Sequence, residues 1–95
     1  MTIKLAHGIA KVEKNRFGSY VHIVMVDPEY RGNGIATKLM NKILDKAPRP
    51  IYLLACGEFG ADTNRLIEFY SRFGFKRHKQ RKSDGYPYNY NMVLY

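Results

Sequence analysis

Between Ile23 and Ala36 the chain reads Ile-Val-Met-Val-Asp-Pro-Glu-Tyr-Arg-Gly-Asn-Gly-Ile-Ala, and no other stretch limits the fold as tightly. Ser19 to Val26 carries apolar residues on both faces, which predicts a central strand buried on both sides. Pro28 has no backbone N–H and cannot continue it. After Arg31-Gly32-Asn33-Gly34, apolar residues recur every four positions. Ile35, Leu39 and Ile43 lie beside Ala36, Met40 and Leu44, which gives one wide helix face. A strand therefore runs through a glycine turn into a helix N-terminus. The first N–H groups of a helix have no intrahelical partner, and the helix dipole places positive charge there. With Gly32 and Gly34 lacking Cβ atoms, an anion such as phosphate can approach the backbone closely.

Two familiar phosphate loops fit poorly. A Walker loop needs glycine directly before Lys-Ser/Thr, but Thr37 precedes Lys38 and Leu39 follows it. A dinucleotide fingerprint starting at Gly32 would have Thr37 at its third glycine, and the acid in reach, Glu58, falls on a loop after the next strand.

The flanks complete a mixed α/β order. Ile3 to Lys14 predicts one bent strand or two short ones, broken at His7-Gly8, and Asn15 to Gly18 is a turn. Ala47-Pro48-Arg49-Pro50 stops the first helix, and Ile51 to Cys56 predicts a second buried strand. After a loop at 57–61, Asp62 or Thr63 can cap a helix running to about Phe73. Leu66, Ile67, Phe69, Tyr70 and Phe73 form its apolar face, and Gly74 sits where a helix commonly ends. Phase and turn signals then predict a hairpin: Phe75 to Arg81, a turn at Ser83-Asp84-Gly85, and Tyr88 to Tyr95. The expected order is β-β-β-α-β-α-β-β, an α+β mixed sheet with helices packed on it, in one domain spanning 1–95.

Composition narrows the class. Ninety-five residues cannot be divided into two cored units, and 45% hydrophobic with 25% charged residues is ordinary for a globular chain. The longest apolar run, Ile51 to Cys56, is far short of the roughly 18 residues that span a bilayer. No continuous apolar stretch marks a secretory leader at the N-terminus, and the single Cys56 can form no intramolecular disulfide. A cytoplasmic location, away from membranes, is the expectation. Sixteen Lys and Arg against eight Asp and Glu give a net charge of +8, which favours anionic partners.

Two motifs, taken together, decide among those partners. Arg31-Gly32-Asn33-Gly34-Ile35-Ala36, led in by Val26-Asp27-Pro28-Glu29-Tyr30, resembles the acyl-CoA turn of the GCN5-related N-acetyltransferases (GNAT), Arg/Gln-x-x-Gly-x-Gly/Ala. Asn64-x-x-Ile67-x-Phe69-Tyr70-x-x-Phe73-Gly74-Phe75 is similar to that family's later helix, and the two come in the family's order. The resemblance covers about residues 18 to 95. The family's usual first strand and first two helices, which wall one side of the acceptor site, have no counterpart. Their absence implies an exposed acceptor site, a homodimer or a macromolecular substrate.

The resemblance implies acetyl-CoA as co-substrate and an N-acetyltransferase that acts by direct attack of an amine, carried on a protein lysine, an N-terminus or a small molecule. Gly32 and Gly34, with the N–H groups of Asn33, Ile35, Ala36 and Thr37, would hold the pyrophosphate. Arg31 would add charge there or anchor the loop. Met25 and Val26 would offer backbone groups to the pantetheine arm and the thioester carbonyl. Asn64 would contact the cofactor, and Tyr70 would be the general acid for the leaving thiolate. For the general base, His22 leads: it lies on the cofactor strand, shares a face with Tyr20, and can take a proton near neutral pH. Glu58 is the runner-up. Cys56 reads as a small hydrophobe, and His7 and His78 receive no role.

Lys76-Arg77-His78-Lys79-Gln80-Arg81-Lys82 puts five positive side chains in seven residues, either a solvated edge or a patch for an acidic partner. Tyr88, Tyr90, Met92 and Leu94 are expected on one strand face. Two rival readings follow: a catalytically idle CoA-binding member, and a basic module for nucleic acid or protein contacts, with nucleic acid not favoured.

Overall fold

A computed structural model describes residues 1–57 and 62–95. Among the described residues, six strands and two α-helices follow the expected order: β1 (Thr2–Leu5), β2 (Gly8–Asn15), β3 (Gly18–Val26), α1 (Ile35–Lys46), β4 (Ile51–Leu53), α2 (Thr63–Ser71), β5 (Lys76–Arg77) and β6 (Met92–Leu94). They form a mixed sheet ordered β1-β2-β3-β4-β6-β5, in which only β3 and β4 run parallel. The parallel pair follows from α1, which carries the chain back across the sheet between them. Among the described residues, no helix is long and apolar enough to cross a membrane.

Both helices pack on one face. Leu39, Met40 and Ile43 of α1 are fully buried against Ala10, Val12, Val21, Ile51, Leu53 and Met92. Burial of each large side chain contributes about 1.5–3 kcal/mol. Leu66, Ile67, Phe69, Tyr70 and Phe73 bring α2 onto the same core. The opposite face is covered by tyrosines: Tyr20, Tyr90 and Val93 are buried there, with Tyr52, Tyr86 and Tyr88 packed on them.

Of the two readings of Ile3 to Lys14, two strands is the one found, because Ala6-His7 turns the chain, with His7 at a φ of 66°. Three expectations are corrected. β3 is buried on both sides only at Ser19 to Val21; Ile23 and Met25 are 37% and 50% exposed. β4 ends at Leu53 rather than Cys56, and Cys56 is exposed. The hairpin is also far shorter than its sequence implies. Gln80 donates to the Tyr88 carbonyl at 3.0 Å and accepts from the Tyr90 N–H at 2.9 Å, so a side chain replaces the ladder there. Freed from the ladder, the chain from Tyr86 to Tyr90 lies across the sheet. Tyr90 consequently falls on the face opposite Met92 and Leu94.

Candidate functional site

The site begins where the sheet divides. β3 pairs with β4 from Ser19–Ile51 to Val21–Leu53 and no further, while its pairing with β2 continues to Val26. Past Leu53 the chain is drawn the other way by Asn91. The Asn91 N–H donates to the Leu53 carbonyl at 3.1 Å. Its side-chain carbonyl accepts from the Ala55 N–H at 2.8 Å, and its amide donates to the Ala55 carbonyl at 2.9 Å. Ala55, in the same phase as Leu53, thus has both backbone polar groups held by a side chain on the far side from β3. Among the described residues, β3 is left with an open edge from His22 to Val26.

Register decides which groups face that opening. The Asp27 N–H donates to the His7 carbonyl at 2.8 Å. Met25 opposes Ile9 in the same phase, so its N–H and C=O turn to β2. Those of Val24 and Val26 turn into the opening. Of the two expected backbone contributors, Val26 therefore faces the opening and Met25 does not, while Val24 joins Val26. The side chains of Val24 and Val26 pack on the helix core.

A bulge sharpens the division. Lys11 pairs with Ile23 and Val12 with Val21, so His22 is the extra residue on β3. A bulge bends its strand and re-aims side chains. Here His22 joins Tyr20 on the tyrosine face, as alternation predicts, with ring centroids 4.9 Å apart.

Beyond Val26 a clamped turn leads to α1. His7 stacks on Tyr30 with centroids 3.4 Å apart and planes 6° apart, and its Nδ1 lies 3.3 Å from Asp27 Oδ2. Tyr30 N–H donates to the Asp27 carbonyl at 2.9 Å, and the Asn33 amide donates to the Tyr30 carbonyl at 3.2 Å. Gly32 and Gly34 have φ of 87° and 78°, the left-handed region, and a Cβ built on either meets nothing within 4 Å. The reason for glycine is therefore conformational, and the space beside both is open to a ligand. Gly34 caps α1 without a side-chain hydrogen bond. The N–H groups of Ile35, Ala36 and Thr37 lack intrahelical partners, and the first helical bond is Lys38 N–H to the Gly34 carbonyl at 3.1 Å. Arg31 is exposed, and among the described residues its guanidinium anchors no carbonyl. The residues fit a diphosphate-bearing ligand in shape, donor count and charge.

Tyr70 and His22 approach from opposite faces. Tyr70 is half-buried on α2, edge-on to Phe69 and Phe75 with centroids 5.4 and 6.1 Å away. Burial raises its phenol above the ordinary tyrosine value, so it carries its proton at neutral pH. Its hydroxyl bonds to no protein group among the described residues. Asp62 caps α2 by accepting from the Asn64 N–H at 2.8 Å, which leaves the exposed Asn64 side chain free to bind. His22 Nε2 lies 3.4 Å from Glu13 Oε1, and Tyr88 donates to that same oxygen at 2.7 Å. The Tyr88 hydroxyl, helped by His22, holds Glu13 below the usual carboxylate range. Glu58 lies outside the described residues.

Three residues escape the sequence reading. His7 clamps the turn, Asn91 opens the sheet, and Glu13 faces His22. The His7-Gly8 break gives a local hint of the first. Asn91 and Glu13 carry no local signal, since each acts on a residue distant in sequence or on a neighbouring strand.

An opened sheet edge, a glycine turn and an uncapped helix N-terminus thus form one continuous cradle along β3 and into α1. A family model described as an acetyltransferase (GNAT) domain matches residues 3–77. The chain belongs to the GNAT acetyltransferase family. It is 35% identical over 68 residues to an uncharacterized N-acetyltransferase of Methanocaldococcus jannaschii, covering 72% of this chain and 30% of that protein. With an uncharacterized protein of Mycobacterium leprae it shares 40% identity over 58 residues, 60% of this chain and 15% of the relative. The chain thus spans less than a third of either curated relative. Among solved structures, the anti-CRISPR protein AcrVA5 is similar with a TM-score of 0.74 and 23% identity, over 98% of this chain and 94% of the other. Naa50 of Arabidopsis thaliana, solved with the bisubstrate analogue CoA-Ac-MVNAL, gives a TM-score of 0.57 and 25% identity, over 90% of this chain and 60% of the other.

Proposed function

We propose that the chain is a minimal N-acetyltransferase domain that moves an acetyl group from acetyl-CoA to a primary amine by direct attack. The observation that carries this reading is the opening between β3 and the segment after Leu53, which ends at the Gly32–Gly34 turn. Acetyl-CoA, as co-substrate, supplies the activated acyl group as a thioester.

The protein's part is to bind, orient and move protons. The N–H groups from Asn33 to Thr37, with Arg31, hold the diphosphate. Backbone groups of Val24 and Val26 orient the arm as an added strand would. Asn64 contacts the arm from α2. A donor N–H on this edge stabilises charge that develops on the acyl oxygen. The acceptor amine, with an ordinary pKa of about 10.4, must first lose a proton. His22 takes that proton on the tyrosine face, and Tyr70 gives one to the departing sulfur from the helix face. Naa50, whose bound analogue joins CoA to a peptide, supports a peptidyl amine as acceptor.

A second reading has one observation in its favour. Lys76, Arg77, Lys79, Arg81 and Lys82 are all exposed, and none forms an ion pair among the described residues. A polyanion-binding module would present such a surface. Calorimetric titration with acetyl-CoA, CoA and a DNA duplex separates the readings. Binding of acetyl-CoA with release of thiol in the presence of amines supports the enzyme. Binding of duplex with no response to acetyl-CoA rejects it.

A further inference from the structure

Glu13, His22 and Tyr88 meet at the edge of the tyrosine-covered surface, where the sheet face becomes open. Tyr88 reaches Glu13 Oε1 at 2.7 Å and His22 Nε2 lies 3.4 Å from that oxygen. The His22 ring stands edge-on to Tyr20 and Tyr88, at 4.9 and 4.7 Å. Glu13 and His22 keep 40% and 34% of their side-chain surface exposed, so the pair can be reached from solvent. Past His22 the same face continues as the exposed side chains of Ile23 and Met25.

Among the described residues, the other carboxylates near the sheet are engaged. Asp27 belongs to the His7 clamp, and Asp84 accepts from the Tyr86 N–H and the Tyr90 hydroxyl. In a chain of net charge +8, a cationic acceptor is repelled wherever no local negative charge receives it.

We propose that Glu13 is that receiving charge: it binds the ammonium group of the acceptor and positions the His22 imidazole beside it. The aromatic wall of Tyr20 and Tyr88 adds cation–π attraction, and Ile23 and Met25 accommodate an aliphatic stem. The site therefore takes an amine on an unbranched chain, as in a lysine side chain. The proton that leaves the ammonium goes to His22, and the imidazolium stays beside the carboxylate, so net charge at the cluster is conserved. Besides His22 and Tyr88, the Met1 ammonium, which donates to the Val12 carbonyl at 2.7 Å, acts on Glu13, and alternation places Lys11 on the same face of β2.

This proposal rests on the acetyltransferase reading and is tested apart from it by NMR titration of the CoA-loaded protein, which has no acetyl group to transfer. The probe is Nα-acetyl-lysine methylamide, with the norleucine counterpart as its uncharged match. The lysine compound should shift resonances of His22, Tyr88, Ile23 and Met25, and the norleucine compound should not. Glu13→Gln, which keeps an acceptor for Tyr88, should weaken the lysine compound about ten-fold or more, and Glu13→Asp should recover most of it. Thermal unfolding of both variants checks that the fold is kept. In turnover, Glu13→Gln should raise the acceptor KM while leaving the acetyl-CoA KM unchanged. Equal binding of the two compounds, no perturbation at these residues, or unchanged affinity in Glu13→Gln overturns the proposal. Failure to bind acetyl-CoA at all would instead remove the acetyltransferase reading itself.

Discussion

Asn91 grips Ala55 at both of its backbone polar groups, accepting from its N–H at 2.8 Å and donating to its carbonyl at 2.9 Å. This one side chain substitutes for a strand. It satisfies a backbone that leaves β3, and so keeps the sheet divided at low cost. Unmet, each buried polar group would cost about 1–3 kcal/mol.

Asn91→Ala should therefore lower stability by about 1–3 kcal/mol, with water meeting part of the loss. Acetyl-CoA affinity should fall at least about five-fold, because the segment after Leu53 no longer holds its course. Urea unfolding and calorimetry measure the two effects. Stability lost with affinity unchanged would separate Asn91 from the site.

Tyr70→Phe should lower turnover about ten-fold or more while leaving acetyl-CoA affinity nearly intact. The hydroxyl has no partner in the protein among the described residues, so its removal breaks no internal hydrogen bond. Burial raises the phenol's pKa, which keeps the proton available throughout the neutral range. Steady-state thiol release against calorimetric affinity gives the split. Unchanged turnover would take Tyr70 out of the reaction.

The tyrosine face predicts alkaline instability. Burial, as the largest cause, pushes Tyr86 up from 10.0 to about 12. Burial also raises Tyr20, Tyr52 and Tyr90, while the bond to Glu13 is the main cause for Tyr88. A group whose pKa is raised by folding stabilises fully below its unfolded value, and that stability is lost as pH climbs through the folded value. Urea midpoints should therefore hold up to about pH 10 and fall steadily toward pH 12. Ultraviolet titration of tyrosinate should show the late ionisations. Eight tyrosines titrating together near pH 10 in the folded protein would contradict the packing described.

The sequence makes the phosphate turn legible because its cause is local. Gly32 and Gly34 adopt left-handed φ within the turn itself, and the apolar rows of α1 begin one residue later. The order of elements is legible for the same reason. What escapes is the product of contacts between distant residues. Ile51 to Cys56 looks like one buried strand, yet Asn91, some 36 residues further on, takes Ala55 out of it. Tyr88 to Leu94 alternates like a strand, but Gln80 captures its backbone and turns the tyrosines onto the sheet. His22 could be placed on a face with Tyr20 by period alone. Its partner Glu13 could not, because a bulge sets the register between β2 and β3.

The central claim is that the turn from Arg31 to Thr37 holds the diphosphate of acetyl-CoA. Calorimetric titration of acetyl-CoA into the wild-type protein and into Gly34→Asp tests it most directly. A carboxylate there would face the ligand's phosphates, and a left-handed residue with a Cβ adds about 1–2 kcal/mol of strain. The account predicts saturable binding to the wild type and none detectable to Gly34→Asp, with thermal unfolding confirming that the variant is folded. Equal affinity in the two proteins would contradict it.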